Sequence, residues 1–291
     1  MTQSEFTIRK FDIANMQKNR ACIFIGGSGT GKSSLLTAVL YHNRDIPAGI
    51  VCSGTEFGDP HFGKFIPDIF IYNDFAPEKI EDLIEIQQRR KKALESIESN
   101  IEYCRRNRRH EDMKALELRH KKEVAAMRKF VVIDDCMYKS GITRSPTMRK
   151  LFMNGRHFGI LVLLTVQYAI SIDISLRGNA GYIFICREPI VNYRRKIYDN
   201  FVGMLPSFAI FERVMNATTQ NYECLVVDRT TKSTRPEDGI FWFKAQPSYD
   251  FRIGNERLWA YHRNNYDPHH EERANRERKA KRENGLIRKG K

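Results

Sequence analysis

Short apolar runs punctuate the chain at 21–25, 49–52, 69–72, 130–133, 160–165, 182–185 and 225–227. Several are continuous rather than alternating, the pattern of strands covered on both faces. Between them, residues 33–41, about 147–154, and 191–201 carry helical spacing. Strands alternating with helices predict an α/β fold with a mostly parallel central sheet flanked by helices.

One region breaks this rhythm. From Pro77 to about Lys129 there is no strand signal and charge is dense. Pro77 suits a first helical turn. Leu94, Ile97, Ile101 and Cys104 repeat at heptad-like spacing. The pattern lapses in "RRNRRH" and resumes with Met113, Leu116, His120 and Met127. This predicts a helical hairpin inserted at about 77–129. Arg105, Arg106, Arg108 and Arg109 at its tip form either a solvated end or a contact for DNA or a neighbouring subunit. The stretch after His269 is almost wholly charged or small, and "RANRERKAKREN" lacks an apolar face. The expected organisation is therefore one domain over 1–265, carrying the insertion, and a basic, flexible tail over 266–291.

Hydrophobic residues make up 41% of the 291, enough for a large core. The net charge of +14 suits a polyanionic partner such as nucleic acid, although basic charge also serves solubility alone. Cys22, Cys52, Cys104, Cys136, Cys186 and Cys224 form no CxxC pair, and most sit in apolar runs. They read as buried free thiols of a reducing compartment. "MTQSEFTIRK" has no apolar signal region, and the longest apolar run, 159–166, is far too short to span a bilayer. An intracellular, soluble protein is expected.

Gly26-Gly27-Ser28-Gly29-Thr30-Gly31-Lys32-Ser33 matches G-x-x-x-x-G-K-[ST], with Ser34 following, between a strand and a helix. That context makes it a phosphate-binding loop. Its glycines let amide N–H groups face an anion, and the helix adds its positive end. Lys32 is expected to reach the β- and γ-phosphates of ATP, and Ser33 to ligate Mg²⁺. "FVVIDDC" supplies acids at a strand end. Asp134 is the expected partner of the metal. Asp135 reads as the base that orients attacking water, or as a carboxylate that only tunes Asp134. The guanine signature [NT]-K-x-D is missing, "TKST" at Thr231 coming nearest, and small-molecule kinases usually lack such an acidic pair.

"NGRHFGILVLLTVQYAISIDISLRGNAGYIFICRE" resembles the FtsK–HerA superfamily of DNA-pumping P-loop ATPases, which have a RecA-like core. Within it, "GRH", the "IDD" pair and "YECLVVD…FWFK" are similar to the genome-packaging ATPases of nucleocytoplasmic large DNA viruses, the poxvirus-type branch. The similarity covers about 22–244, apart from the helical insert. It implies that Gln167 bonds γ-phosphate and attacking water. It also implies that Arg177 enters the neighbouring subunit's site, with Arg156 and Arg187 as rivals. Without the resemblance, Gln167 reads equally as a loop residue satisfying backbone groups, and Arg177 as a partner of helix-end carbonyls near Gly178. The superfamily commonly has Asp-Glu where this chain has Asp134-Asp135. The shorter Asp135 requires a closer or relayed water.

The resemblance further implies a ring, hexameric in the family. The ring the resemblance implies moves double-stranded DNA into a capsid, docked on capsid or portal-vertex proteins, in the host cytoplasm, viral factory or virion. The alternatives are a cellular or plasmid-type DNA translocase and a nucleotide-bound DNA-binding scaffold with little turnover.

Overall fold

The computed structural model describes residues 7–56, 58–137 and 141–267. Its nine strands are β1 (Arg9–Lys10), β2 (Ala21–Ile25), β3 (Ala48–Ser53), β4 (Ile71–Tyr72), β5 (Lys129–Asp134), β6 (Ile160–Val166), β7 (Ala180–Ile185), β8 (Glu223–Asp228) and β9 (Ile240–Lys244). They form one sheet in the order β1-β9-β8-β7-β2-β6-β5-β3-β4. Every neighbouring pair is parallel except β7 with β8 and β8 with β9. The helices are α1 (Lys32–His42), α2 (Pro77–Arg106), α3 (His110–Met127), α4 (Pro146–Asn154), α5 (Ile174–Asn179), α6 (Val191–Phe201), α7 (Phe208–Thr218) and α8 (Glu256–Asn265). This is an α/β, mostly parallel architecture with an inserted helical hairpin.

The continuous apolar runs have a direct explanation. Alternate residues of each central strand enter two different cores. Ile23, Ile25, Val131, Ile133, Ile183 and Ile185 join α4, α6 and α7 on one face. Cys22, Phe24, Val132, Leu163 and Phe184 join Leu35, Leu36, Val39 and Leu40 of α1 on the other. Phe24 stacks on Phe184 at 4.8 Å between ring centres. All six cysteines are buried and free.

Some elements depart from expectation. Only Ile71 and Tyr72 of the 69–72 run pair with β3, because Pro67 leads into a 3-10 turn over Asp68–Phe70. β1 leaves no apolar signal, since both its residues are exposed polar groups. β9, α7 and α8 likewise leave no signal in the pattern. The helix bearing Arg177 runs through Gly178 to Asn179 rather than ending at it.

The hairpin turns at Asn107–Arg109, where Arg108 takes φ 56°. Its base packs on the sheet through Ile80, Leu83 and Ile84. Leu94, Ile97 and Cys104 are buried, whereas α3 buries no residue fully; Met113, Leu116 and His120 are half-buried. Gln87, fully buried, donates from Nε2 to the carbonyls of Met127 and Phe158 and so fastens the hairpin to the start of β5 and β6. No helix among the described residues is long and apolar enough to cross a membrane. The tail from residue 268 on lies outside the described residues.

Candidate functional site

β2, β6 and β5 lie side by side and run parallel, so their C-terminal ends share one edge of the sheet. The P-loop leaves β2 at that edge and α1 starts at Lys32, with Gly31 (φ 95°) as its N-cap and Gly29 at φ 72°. Both backbones lie in the left-handed region that glycine enters without a Cβ penalty. Inside the loop, Thr30 Oγ1 donates to the Gly27 carbonyl at 2.8 Å, and Lys32 Nζ donates to the same oxygen at 2.7 Å. Gly26 is required sterically: a Cβ there would meet Thr30 Oγ1 at 2.6 Å and Cys186 Cβ at 2.7 Å.

Asp134 ends β5 and is 6% exposed. Its Oδ1 accepts from Thr165 Oγ1 at 2.7 Å, and Thr165 Oγ1 in turn accepts from the Asp135 N–H at 3.0 Å. Asp135 sits at φ 49°, and its Oδ1 accepts from Gln167 Nε2 at 3.1 Å. One hydrogen-bonded chain thus ties both acids to the end of β6. Thr165 is one residue that sequence reasoning missed. Its signal is faint: it is the one hydroxyl in "ILVLLTV", a strand buried at every position.

Burial holds the Asp134 carboxyl above the usual carboxylate range, and the charge of Asp135 adds to this; the Thr165 hydroxyl, His61 and Lys32 oppose it. A buried carboxylate with this cost favours a cation beside it. The donor set, Asp134 with the hydroxyl of Ser33, is the hard-oxygen type that suits Mg²⁺.

The loop after β3 supports this floor. The Glu56 carboxylate accepts from the N–H groups of His61, Phe62 and Gly63 at 2.9–3.1 Å. Thr37 Oγ1 donates to the Ser33 carbonyl at 2.8 Å and lies 2.8 Å from His61 Nε2. With its one proton given to Ser33, Thr37 accepts from His61, which fixes the proton on Nε2. Burial lowers the pKa of His61.

The P-loop and the acidic pair line a cleft of about 760 Å³. Ser28, Gly29, Gly31, Lys32, Ser33 and Ser34 form one wall, and Asp134, Asp135 and Gln167 form another. The rest of the lining is Thr55 and Asp59, and Tyr222 with Lys244, Ala245, Gln246 and Pro247, none of them expected from the sequence as site residues.

The three candidate arginines separate. Arg187 follows β7 at the P-loop edge and donates to Gln220 Oε1 at 3.0 Å. Arg177 and Arg156 precede β7 and β6, so they lie at the opposite edge, away from the chain's own cleft. Arg177 donates to Asn200 Oδ1, and its carbonyl accepts from Arg229. Its Nε is buried without a partner. A second cavity, of about 140 Å³, opens at that edge and is lined by Arg20, Arg156 and Arg229, with no carboxylate side chain.

No family model matches the chain. The uncharacterized protein 015R of Frog virus 3 is 34% identical over 242 residues, covering 82% of this chain and 66% of that protein. The uncharacterized protein 075L of Invertebrate iridescent virus 6 is 30% identical over 260 residues, covering 85% of this chain and 89% of that protein. Among solved structures, the genome packaging NTPase B204 from Sulfolobus turreted icosahedral virus 2, in complex with sulfate, superposes with a TM-score of 0.49 at 17% identity, over 80% of this chain and 100% of that one. The chain belongs to the family of viral proteins that includes 075L of Invertebrate iridescent virus 6, and its P-loop and acidic-pair motifs resemble those of the FtsK–HerA superfamily of ATPases.

Proposed function

We propose that this chain is an ATPase of the FtsK–HerA type that drives double-stranded DNA into a viral capsid, working as a ring of copies, six on the family pattern. One observation carries the reading. The P-loop, Asp134, Asp135 and Gln167 converge on a single cleft from three adjacent parallel strands. The net charge of +14 supports a polyanionic partner such as DNA.

In this reading the P-loop amides and Lys32 bind the phosphates. Ser33 and Asp134 hold Mg²⁺, which supplies charge neutralisation when bound. Asp135 orients water for attack on the γ-phosphorus and takes its proton. Thr165 positions both acids, and the Gln167 amide, held by Asp135, reports the state of the γ-phosphate. Arg177 completes the pocket of the neighbouring copy, where a guanidinium's forked donors match transition-state oxygens. The ATPase unit spans 1–265, with the hairpin as an insertion, and the basic tail over 266–291 tethers DNA or the capsid. Phosphate grip is sequence-blind. Six to ten phosphate contacts would make affinity fall about 10³–10⁵-fold between 50 and 200 mM salt.

The test is phosphate release from ATP with and without double-stranded DNA. DNA stimulation in the wild type, lost in Arg177→Ala, supports the motor. A rate indifferent to DNA and to Arg177→Ala identifies a nucleotide-bound scaffold instead.

A further inference from the structure

The P-loop accounts for the phosphates of a nucleotide but not for its base. The opposite wall of the cleft has the chemistry of a base site. β8 runs antiparallel to β7, so its first residues come to the P-loop edge; β9 reverses again and ends there, with Glu223 opposite Lys244. The topology therefore brings two segments far apart in sequence, 221–222 and 244–247, to the mouth of the P-loop.

Tyr222 is held there in an unusual way. Asn221 and Tyr222 take φ 50° and 63° in succession. For a bulky residue this backbone is disfavoured and persists only where the surroundings impose it. The conformation does not bury the ring, because Tyr222 is 72% exposed. It sets the ring over the start of α1: a Cβ built on Gly31 would lie 3.5 Å from Tyr222 Cδ1. An exposed aromatic side chain is thus fixed beside the loop that binds phosphate.

The facing turn is also anchored. The Tyr249 hydroxyl accepts from the Gln246 N–H at 2.9 Å, and the Tyr249 ring packs on Tyr41 of α1 at 5.0 Å. Ala245 and Pro247 offer apolar surface, and Gln246 offers an amide able to donate and accept.

We infer that Tyr222 is the platform on which the nucleobase stacks, with the Ala245–Pro247 turn closing the other side and Gln246 facing the base edge. The inference rests on the nucleotide reading of the P-loop cleft and adds where the base lies and which residues choose it. Stacking accepts any base, so Tyr222 supplies affinity and Gln246 supplies preference.

The experiment compares Mg-ATP with inorganic tripolyphosphate, which has the phosphates without base or sugar, by calorimetry on the full chain. Tyr222→Ala is expected to weaken ATP about tenfold, within the range of base–aromatic stacking, and to leave tripolyphosphate unchanged. Tyr222→Phe keeps wild-type affinity for both, and Gln246→Ala narrows the difference between ATP and GTP. Equal weakening of ATP and tripolyphosphate by Tyr222→Ala would mean that the ring only braces the P-loop, and would overturn the platform. So would unchanged ATP binding. Failure of Lys32→Ala to weaken tripolyphosphate would overturn the P-loop reading itself, and the platform with it.

Discussion

The two edges of the central sheet carry opposite chemistry. At the C-terminal edge, Asp134, Asp135, Thr165 and Gln167 are linked by hydrogen bonds, and Lys32 shares their cleft. At the N-terminal edge, Arg20, Arg156 and Arg229 line a cavity without a carboxylate, next to Arg177 with its buried, unpartnered Nε. One edge holds the acids proposed to activate water. The other presents cations that the same chain's cleft cannot use. A site finished by a second copy explains both, because the cationic edge of one copy can complete the acidic edge of the next.

The sharpest way to break this comparison is at Arg177. If it serves a neighbour, Arg177→Ala lowers the ATPase rate by about 10³–10⁵-fold while ATP affinity, read by calorimetry, stays close to wild type. Arg156→Ala and Arg187→Ala run as controls; a larger loss in either moves the role to that residue. The next effect belongs to the acidic edge. Thr165→Val keeps the shape of the strand but removes the hydroxyl between the two acids. A hydrogen bond to a charged group of this kind is worth about 1.5–3 kcal/mol, so kcat should fall about 10- to 100-fold. An unchanged kcat would reduce Thr165 to packing.

A smaller effect concerns pH. His61 has a folded pKa below its ordinary value of about 6.5, chiefly through burial. The unfolded chain therefore binds the proton more readily. The stabilising contribution is complete above about pH 6.5 and is lost as pH falls from there through the folded value. Melting temperature should decline over that window in the wild type, and less steeply in His61→Gln. Equal slopes would show that His61 does not govern the loop. Least of all is expected at the hairpin tip. Arg105 and Arg106 pair with Glu102 on an exposed surface. Changing both to Ser should shift stability by no more than about 0.5 kcal/mol by thermal unfolding. A larger loss would mean that the tip is part of the folded core.

How much of this was readable in advance follows from how local each signal is. The P-loop and its strand were legible because β2 is apolar at every position and the glycines, lysine and serine stand next to it in sequence. Asp134 was legible for the same reason, at the end of "FVVID". The hairpin showed itself in a heptad-like spacing, and the structure turns it at Asn107–Arg109, inside the stretch where the spacing lapses. Thr165 stayed hidden because one hydroxyl in an apolar run reads as an ordinary strand residue. Tyr222 and the 244–247 turn stayed hidden for another reason. They reach the cleft only through the two antiparallel reversals at β8 and β9, which leave no periodic mark in the sequence. The residues at the cationic edge, too, are gathered from four separate segments and become a group only once the strands are ordered.

The central claim, that two copies build each site, is tested most directly by mixing two crippled variants. Lys32→Ala lacks the phosphate lysine but keeps Arg177; Arg177→Ala keeps a whole P-loop but has nothing to donate. Each alone should hydrolyse ATP at a small residual rate. Mixed in equal amounts, they should regain a rate well above the sum of the two, because some junctions then join an intact P-loop to an intact arginine. A mixture whose rate equals that sum would contradict the shared site.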